Sequence, residues 1–163
     1  IFRQKRIGRN GEEFFCLKYR SMHVEAEQQL RRLLERDPLA RAEWQATQKL
    51  ENDPRITRIG NFLRKTSLDE LPQLINIIKG EMSIVGPRPI VRNEIEKYGE
   101  FFKHYSSVRP GLTGLWQVSG RSETTYAERV ALDVEYVQER TYLKDLKIMA
   151  LTVPAVLTSD GAK

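Results

Sequence analysis

Apolar side chains recur every three or four residues through most of this sequence, the spacing of helices with one covered face. From Val24 to Glu35, Leu30, Leu33 and Leu34 stand among Glu, Gln and Arg, which predicts an amphipathic helix with a charged outer side. Asp37-Pro38 ends it and opens another, because Asp caps free amides and Pro suits a first helical position; this second helix is expected to run to about Leu50. Arg55 to Lys65 spaces Ile56, Ile59, Phe62 and Leu63 for one buried face and leaves Arg55, Arg58, Arg64 and Lys65 on a positive one. Leu74, Ile75, Ile77 and Ile78 predict a mostly buried helix that stops at Gly80. Val91 to Tyr105 places Val91, Ile95, Tyr98, Phe102 and Tyr105 on one stripe, so its aromatics belong to a core or a membrane interface. Thr125 and Glu128 have capping-box spacing and open a helix with Tyr126, Val130, Val134 and Val137 inside. Asp133 falls near that stripe and needs a partner. After Thr141 the last helix becomes apolar from Ile148 through Leu157, with a kink expected at Pro154.

Strand signals are short. Asn10-Gly11 divides the segment from Phe2 to Met22 into a hairpin. Ser83 to Val85 reads as a brief strand, and another is expected around Trp116 and Val118, between Arg109-Pro110-Gly111-Leu112-Thr113-Gly114 and Ser119-Gly120-Arg121. The fold class is therefore α+β, mainly helical, with residues 1–163 forming a single domain. A 40% apolar and 30% charged composition agrees with a folded chain.

Charge adds a direction. The formal net charge is +5, and the first twenty residues hold Arg3, Lys5, Arg6, Arg9, Lys18 and Arg20 against only Glu12 and Glu13. Such an end fits anionic headgroups or phosphate substrates, with a solvated edge as the plainer reading. Cys16 is the only cysteine, so no intrachain disulfide forms, and His23 and His104 belong to no metal-ligand spacing. No signal peptide is seen and no apolar run reaches bilayer-spanning length. The chain opens on Ile1-Phe2-Arg3-Gln4 without Met and reads as an N-terminally truncated piece.

The densest chemistry lies in Arg64-Lys65-Thr66-Ser67-Leu68-Asp69-Glu70-Leu71-Pro72. Ser67 and Glu70 have the spacing of a capping box, and on local pattern alone the cap is the better reading of Glu70; Pro72, however, interrupts a helix starting there. A carboxylate attacking phosphorus forms a reactive acyl phosphate, which makes Asp69 a credible nucleophile. A helix N-terminus, Arg64 and Lys65 would favour its ionised form. Magnesium held by Asp69 and Glu70 would offset the repulsion between two carboxylates and a diphosphate. Physics alone does not say which acid attacks. Arg88 sits in Gly86-Pro87-Arg88-Pro89, where two prolines hold its guanidinium as phosphate recognition requires. Arg109 and Arg121 bracket a glycine-bearing stretch that permits close backbone approach to a ligand.

The run LRKTSLDELPQLINIIKGEMSIVGPRP, with RIGRNG and KYRSM before it and RPGLTGLWQVSGR after it, closely resembles the catalytic domain of the bacterial monotopic phosphoglycosyl transferases. The resemblance implies transfer of a hexose 1-phosphate from a UDP-hexose to undecaprenyl phosphate, with release of UMP and initiation of a surface polysaccharide. It implies Asp69 as the covalently phosphorylated residue, Glu70 as its partner, Arg64 as a positioning arginine and Arg88 as the phosphate-binding one. It implies a membrane-entering helix ahead of Ile1 that returns on the same face, and attachment to the cytoplasmic face of the bacterial inner membrane. Galactose is the sugar suggested first and glucose next; a homo-oligomer stays open.

Two other classes remain to be weighed. A nucleic-acid module would explain the basic balance, but the aromatics are not interleaved with the basic clusters and no recognition motif is present, so no nucleic-acid partner is expected. A noncatalytic membrane-surface adaptor would explain both ends of the chain but not the Asp-Glu pair.

Overall fold

The computed structural model describes residues 1–47, 50–120 and 124–157. Strand β1 (Phe2–Ile7) pairs antiparallel with β2 (Glu13–Lys18), from Phe2 opposite Lys18 to Ile7 opposite Glu13. Asn10, at φ 58°, makes the expected turn between them. Phe14 and Cys16 point inward and pack with Met82 and Ile77. Asn76 fastens this hairpin to the next layer: its side chain accepts from Leu17 N at 3.0 Å and donates to Phe15 O at 2.8 Å.

Helices α1 (Ala26–Arg36) and α2 (Pro38–Thr47) follow, and Asp37 caps the second by accepting from Leu39 N and Ala40 N. The rest of the stretch expected to reach Leu50 includes residues 48–49, which lie outside the described residues. Helix α3 begins later than its periodicity suggests, at Arg58–Lys65, because Thr57 caps it through Gly60 N at 2.8 Å. Gly60 is pressed against the Ser21 backbone so closely that a Cβ there would lie 1.8 Å from Ser21 O. A short turn, Leu68–Glu70, leads to α4 (Gln73–Ile78).

Here the expected burial is reversed. Ile59 and Phe62 of α3 are 73% and 59% exposed, and Ile78 of α4 is 86% exposed. The side of α4 that faces the protein carries Gln73 and Asn76, since Asn76 satisfies backbone groups of β2 that no aliphatic side chain could. Leu74, Ile75 and Ile78 are left outward.

Strand β3 (Ser83–Val85) runs parallel to β4 (Gly111–Thr113). The stripe from Val91 to Tyr105 is not one helix: after a turn at Arg92–Glu94 it gives α5 (Ile95–Tyr98), a second turn at Gly99–Phe101 and α6 (Phe102–Ser106). Gly99, at φ 51°, breaks it. Tyr98 and Tyr105 are nonetheless core residues, packed with Ile7, Ile90 and Val130. The segment around Trp116 and Val118 is helix α7 (Leu115–Ser119), not a strand; the extended residues are the preceding Gly111–Thr113. The capping box at Thr125 and Glu128 forms as expected and opens α8 (Tyr126–Glu139). Tyr98 Oη donates to Asp133 at 2.6 Å, supplying the partner this buried carboxylate needs, with Arg129 Nε at 4.0 Å. Helix α9 (Tyr142–Leu157) contains Pro154 and packs Ile148 against Val85 and Tyr136. Among the described residues no helix is long and apolar enough to cross a membrane.

Candidate active site

Asp69 and Glu70 lie on the short turn between α3 and α4, and the end of β2 holds that turn in place through Tyr19 N, which donates to Asp69 O at 2.8 Å. Ser67 does not cap it. Its backbone is left-handed, at φ 55°, and its side chain makes no capping bond, so Glu70 is released from the role its spacing suggests.

Glu70 turns to cations instead. Its Oε1 accepts from Lys18 Nζ at 2.6 Å and from Arg88 Nη2 at 3.3 Å. Burial pushes this carboxyl up, but Arg88 and Lys18 together outweigh it and hold the group down at about 2. Asp69 is only 9% exposed, and its nearest cation, Lys18 Nζ, is 3.9 Å away. Burial dominates here and raises the Asp69 carboxyl above its ordinary value, against the pull of Lys18, Arg64 and Arg88. The sequence expectation that neighbouring cations would win is thus corrected: desolvation exceeds them.

Arg64 is held by a bond from its Nε to Ser21 Oγ at 2.9 Å, and it acts on Asp69 through its charge. Arg88 projects between its two prolines, and Arg6 steadies that loop by donating to Pro89 O at 2.9 Å. Asp69, Glu70, Arg64, Arg88 and Lys18 all line one cavity of about 1370 Å³, deep enough for a ligand of nucleotide-sugar size. Trp116, Gln117 and Arg129 stand on its walls, the Arg129 guanidinium 4.6 Å from the Trp116 ring.

One expected phosphate contact, Arg109, is not brought there. Arg109 lines a different cleft, beside Gly80, and Arg121 lies outside the described residues. Lys18 is the residue that sequence reasoning missed as a site group. Its signal is the two-residue alternation of β2, where a cation continues the inward row of Phe14 and Cys16. Among the described residues no three His, Cys, Asp or Glu side chains cluster as a metal site. The adjacent acids Asp69 and Glu70 still suit magnesium, which takes one or two carboxylates and completes its shell with water and substrate phosphate. Because Glu70 Oε1 already holds two cations, Asp69 is the freer of the two donors.

The model of the bacterial sugar transferase family matches residues 1–159. This chain belongs to that family. It is 56% identical, over 99% of its length, to an uncharacterized sugar transferase of Haemophilus influenzae. It is 52% identical, again over 99%, to the undecaprenyl-phosphate galactose phosphotransferase of Salmonella typhimurium. The match covers about a third, 34%, of each of those two relatives. The exopolysaccharide production protein ExoY of Rhizobium meliloti is also 52% identical, and there the chain covers 72% of the relative. As a bacterial sugar transferase domain, the chain has its acids and basic side chains on a single cavity wall.

Proposed function

We propose that this domain transfers a hexose 1-phosphate from a UDP-hexose to undecaprenyl phosphate through a covalent intermediate on Asp69. The observation that carries the reading is the unequal treatment of two adjacent carboxylates inside one cavity: Glu70 is paired with Lys18 at 2.6 Å and Arg88 at 3.3 Å, whereas Asp69 is desolvated and meets Lys18 only at 3.9 Å. A carboxylate made more basic by burial is the better nucleophile.

In the first step an Asp69 Oδ bonds to the sugar-bearing phosphorus and the bond to the UMP oxygen breaks, the electron pair leaving with UMP. In the second, a phosphate oxygen of undecaprenyl phosphate bonds to the same phosphorus and the acyl phosphate bond breaks, restoring Asp69. Arg88 and Lys18 offset the charge on the transferring phosphoryl oxygens, with Glu70 holding both in place. Arg64 raises the positive potential around Asp69 from its seat on Ser21. Magnesium bound by Asp69 and Glu70 would supply further charge neutralisation at the diphosphate. Galactose is the sugar favoured by the names of relatives, with glucose next.

The reaction takes place at the cytoplasmic face of the inner membrane. The outward apolar residues of α3, the site turn and α4 support contact with a membrane, because Ile59, Phe62, Leu71 and Ile78 leave a hydrophobic face beside the cavity that delivers a lipid acceptor. Asp69→Asn tests the chemistry: transfer and the trapped phosphosugar adduct should both disappear while the variant still binds UDP-hexose. An Asp69→Asn protein that forms the adduct would remove Asp69 from the role.

A further inference from the structure

A second cleft, of about 1030 Å³, shares Ile84 and Met149 with the first but contains neither Asp69 nor Glu70. Its inner surface is apolar, with Ile77, Met82, Val85, Val108 and Met149 along it. Three arginines from separate parts of the chain stand around it: Arg9 from the hairpin turn, Arg109 ahead of β4 and Arg140 at the end of α8. All three are exposed, and among the described residues none makes an ion pair or donates a hydrogen bond through its guanidinium. Asp145, the one carboxylate on the wall, accepts from Tyr136 Oη at 2.8 Å and compensates none of them by an ion pair.

This pairing of chemistries selects the ligand. Inorganic phosphate would use the arginines and leave the apolar wall wet; a neutral apolar molecule would do the reverse. An anion carried on an apolar chain uses both. The mouth agrees, since Tyr142, Leu146 and Ile84 are 90%, 58% and 50% exposed there.

We propose that this cleft binds an anionic phospholipid of the surrounding bilayer, its phosphate among Arg9, Arg109 and Arg140 and its first acyl segment along Ile77, Met82 and Val108. The lipid is a bound companion and not a reactant, and the site stands apart from whichever acceptor Asp69 serves.

The test uses the full-length protein in a non-ionic detergent, titrated calorimetrically with dihexanoyl phosphatidylglycerol, dihexanoyl phosphatidylcholine and inorganic phosphate. A photoactivatable phosphatidylglycerol is mapped in parallel by mass spectrometry. Phosphatidylglycerol should bind more tightly than either alternative, and Arg109→Gln and Arg140→Gln should each weaken it roughly five-fold, the value of one basic residue at an anionic surface. Both side chains are exposed, so neither change threatens folding, and Arg9→Gln provides a third variant. Crosslinks should fall between Tyr142 and Met149. Equal binding of the two phospholipids, phosphate binding as tight as phosphatidylglycerol, indifference to all three substitutions, or crosslinks confined to Leu68–Leu74 would each overturn the proposal.

Discussion

At Glu70 two cations outweigh burial, while one residue earlier burial outweighs three, and the contrast comes from distance: 2.6 Å from Lys18 Nζ to Glu70 and 3.9 Å to Asp69. The acid limb of transfer should therefore report Asp69 and lie above the usual aspartate range. Lys18 pulls the Asp69 carboxyl down, so Lys18→Met should shift that limb to higher pH and lower kcat by about a hundred-fold, the scale for losing one charged stabiliser. A pH profile of single-turnover transfer checks both. Glu70 works in the opposite sense on stability. Its folded value is depressed to about 2, so its contribution is present above its ordinary range near 4.5 and is lost as pH falls toward 2. Glu70→Gln should remove that share of acid sensitivity, on the order of 3 kcal/mol, as read by chemical denaturation at pH 6 and pH 2.5.

At the level of elements, the turn Leu68–Glu70 shows where local pattern misleads. A capping Ser67 would accept Thr without loss, because either hydroxyl caps a helix. A left-handed Ser67 would not, since a β-branched side chain crowds the backbone at φ 55°. Ser67→Thr is expected to lower both the melting temperature and transfer, measured by thermal melting and product formation. Gly60→Ala should cost more, because the added methyl meets the Ser21 backbone and not a movable side chain, and it would push α3 and Arg64 away from Ser21 Oγ. Helices α1, α2, α8 and α9, the hairpin turn, the cap at Asp37 and the capping box at Thr125 were legible because their signals are local. Local pattern favours a cap for Glu70, only the family resemblance makes it the partner of Asp69, and Lys18 is not singled out, because the Lys18–Glu70 pairing joins residues 52 positions apart. Trp116 and Val118 were assigned to a strand because a short apolar run carries no decisive periodicity.

For the molecule as a whole, the outward face of α3 and α4 was invisible in the sequence. Periodicity finds an apolar side but does not say whether protein or lipid covers it. Asp133, which does not line the cavity of Asp69 and Glu70, offers a stability probe. Burial raises its carboxyl to about 6, so its contribution to folding is fully present below its ordinary 3.8 and is lost as pH rises through 6. Asp133→Asn keeps an acceptor for Tyr98 Oη and should raise the melting temperature at pH 7 while leaving it nearly unchanged at pH 4.

Arg6 and Lys18 ride on opposite rails of the first hairpin, one propping the proline-flanked loop and the other threading the acids. Sliding either rail by a single notch turns its cation to the opposite side of the ribbon. Catalytic competence is thereby geared to ladder alignment, which admits whole steps and no halfway setting, so a one-residue deletion between Gly8 and Glu12 should silence transfer as thoroughly as losing a charge at the centre.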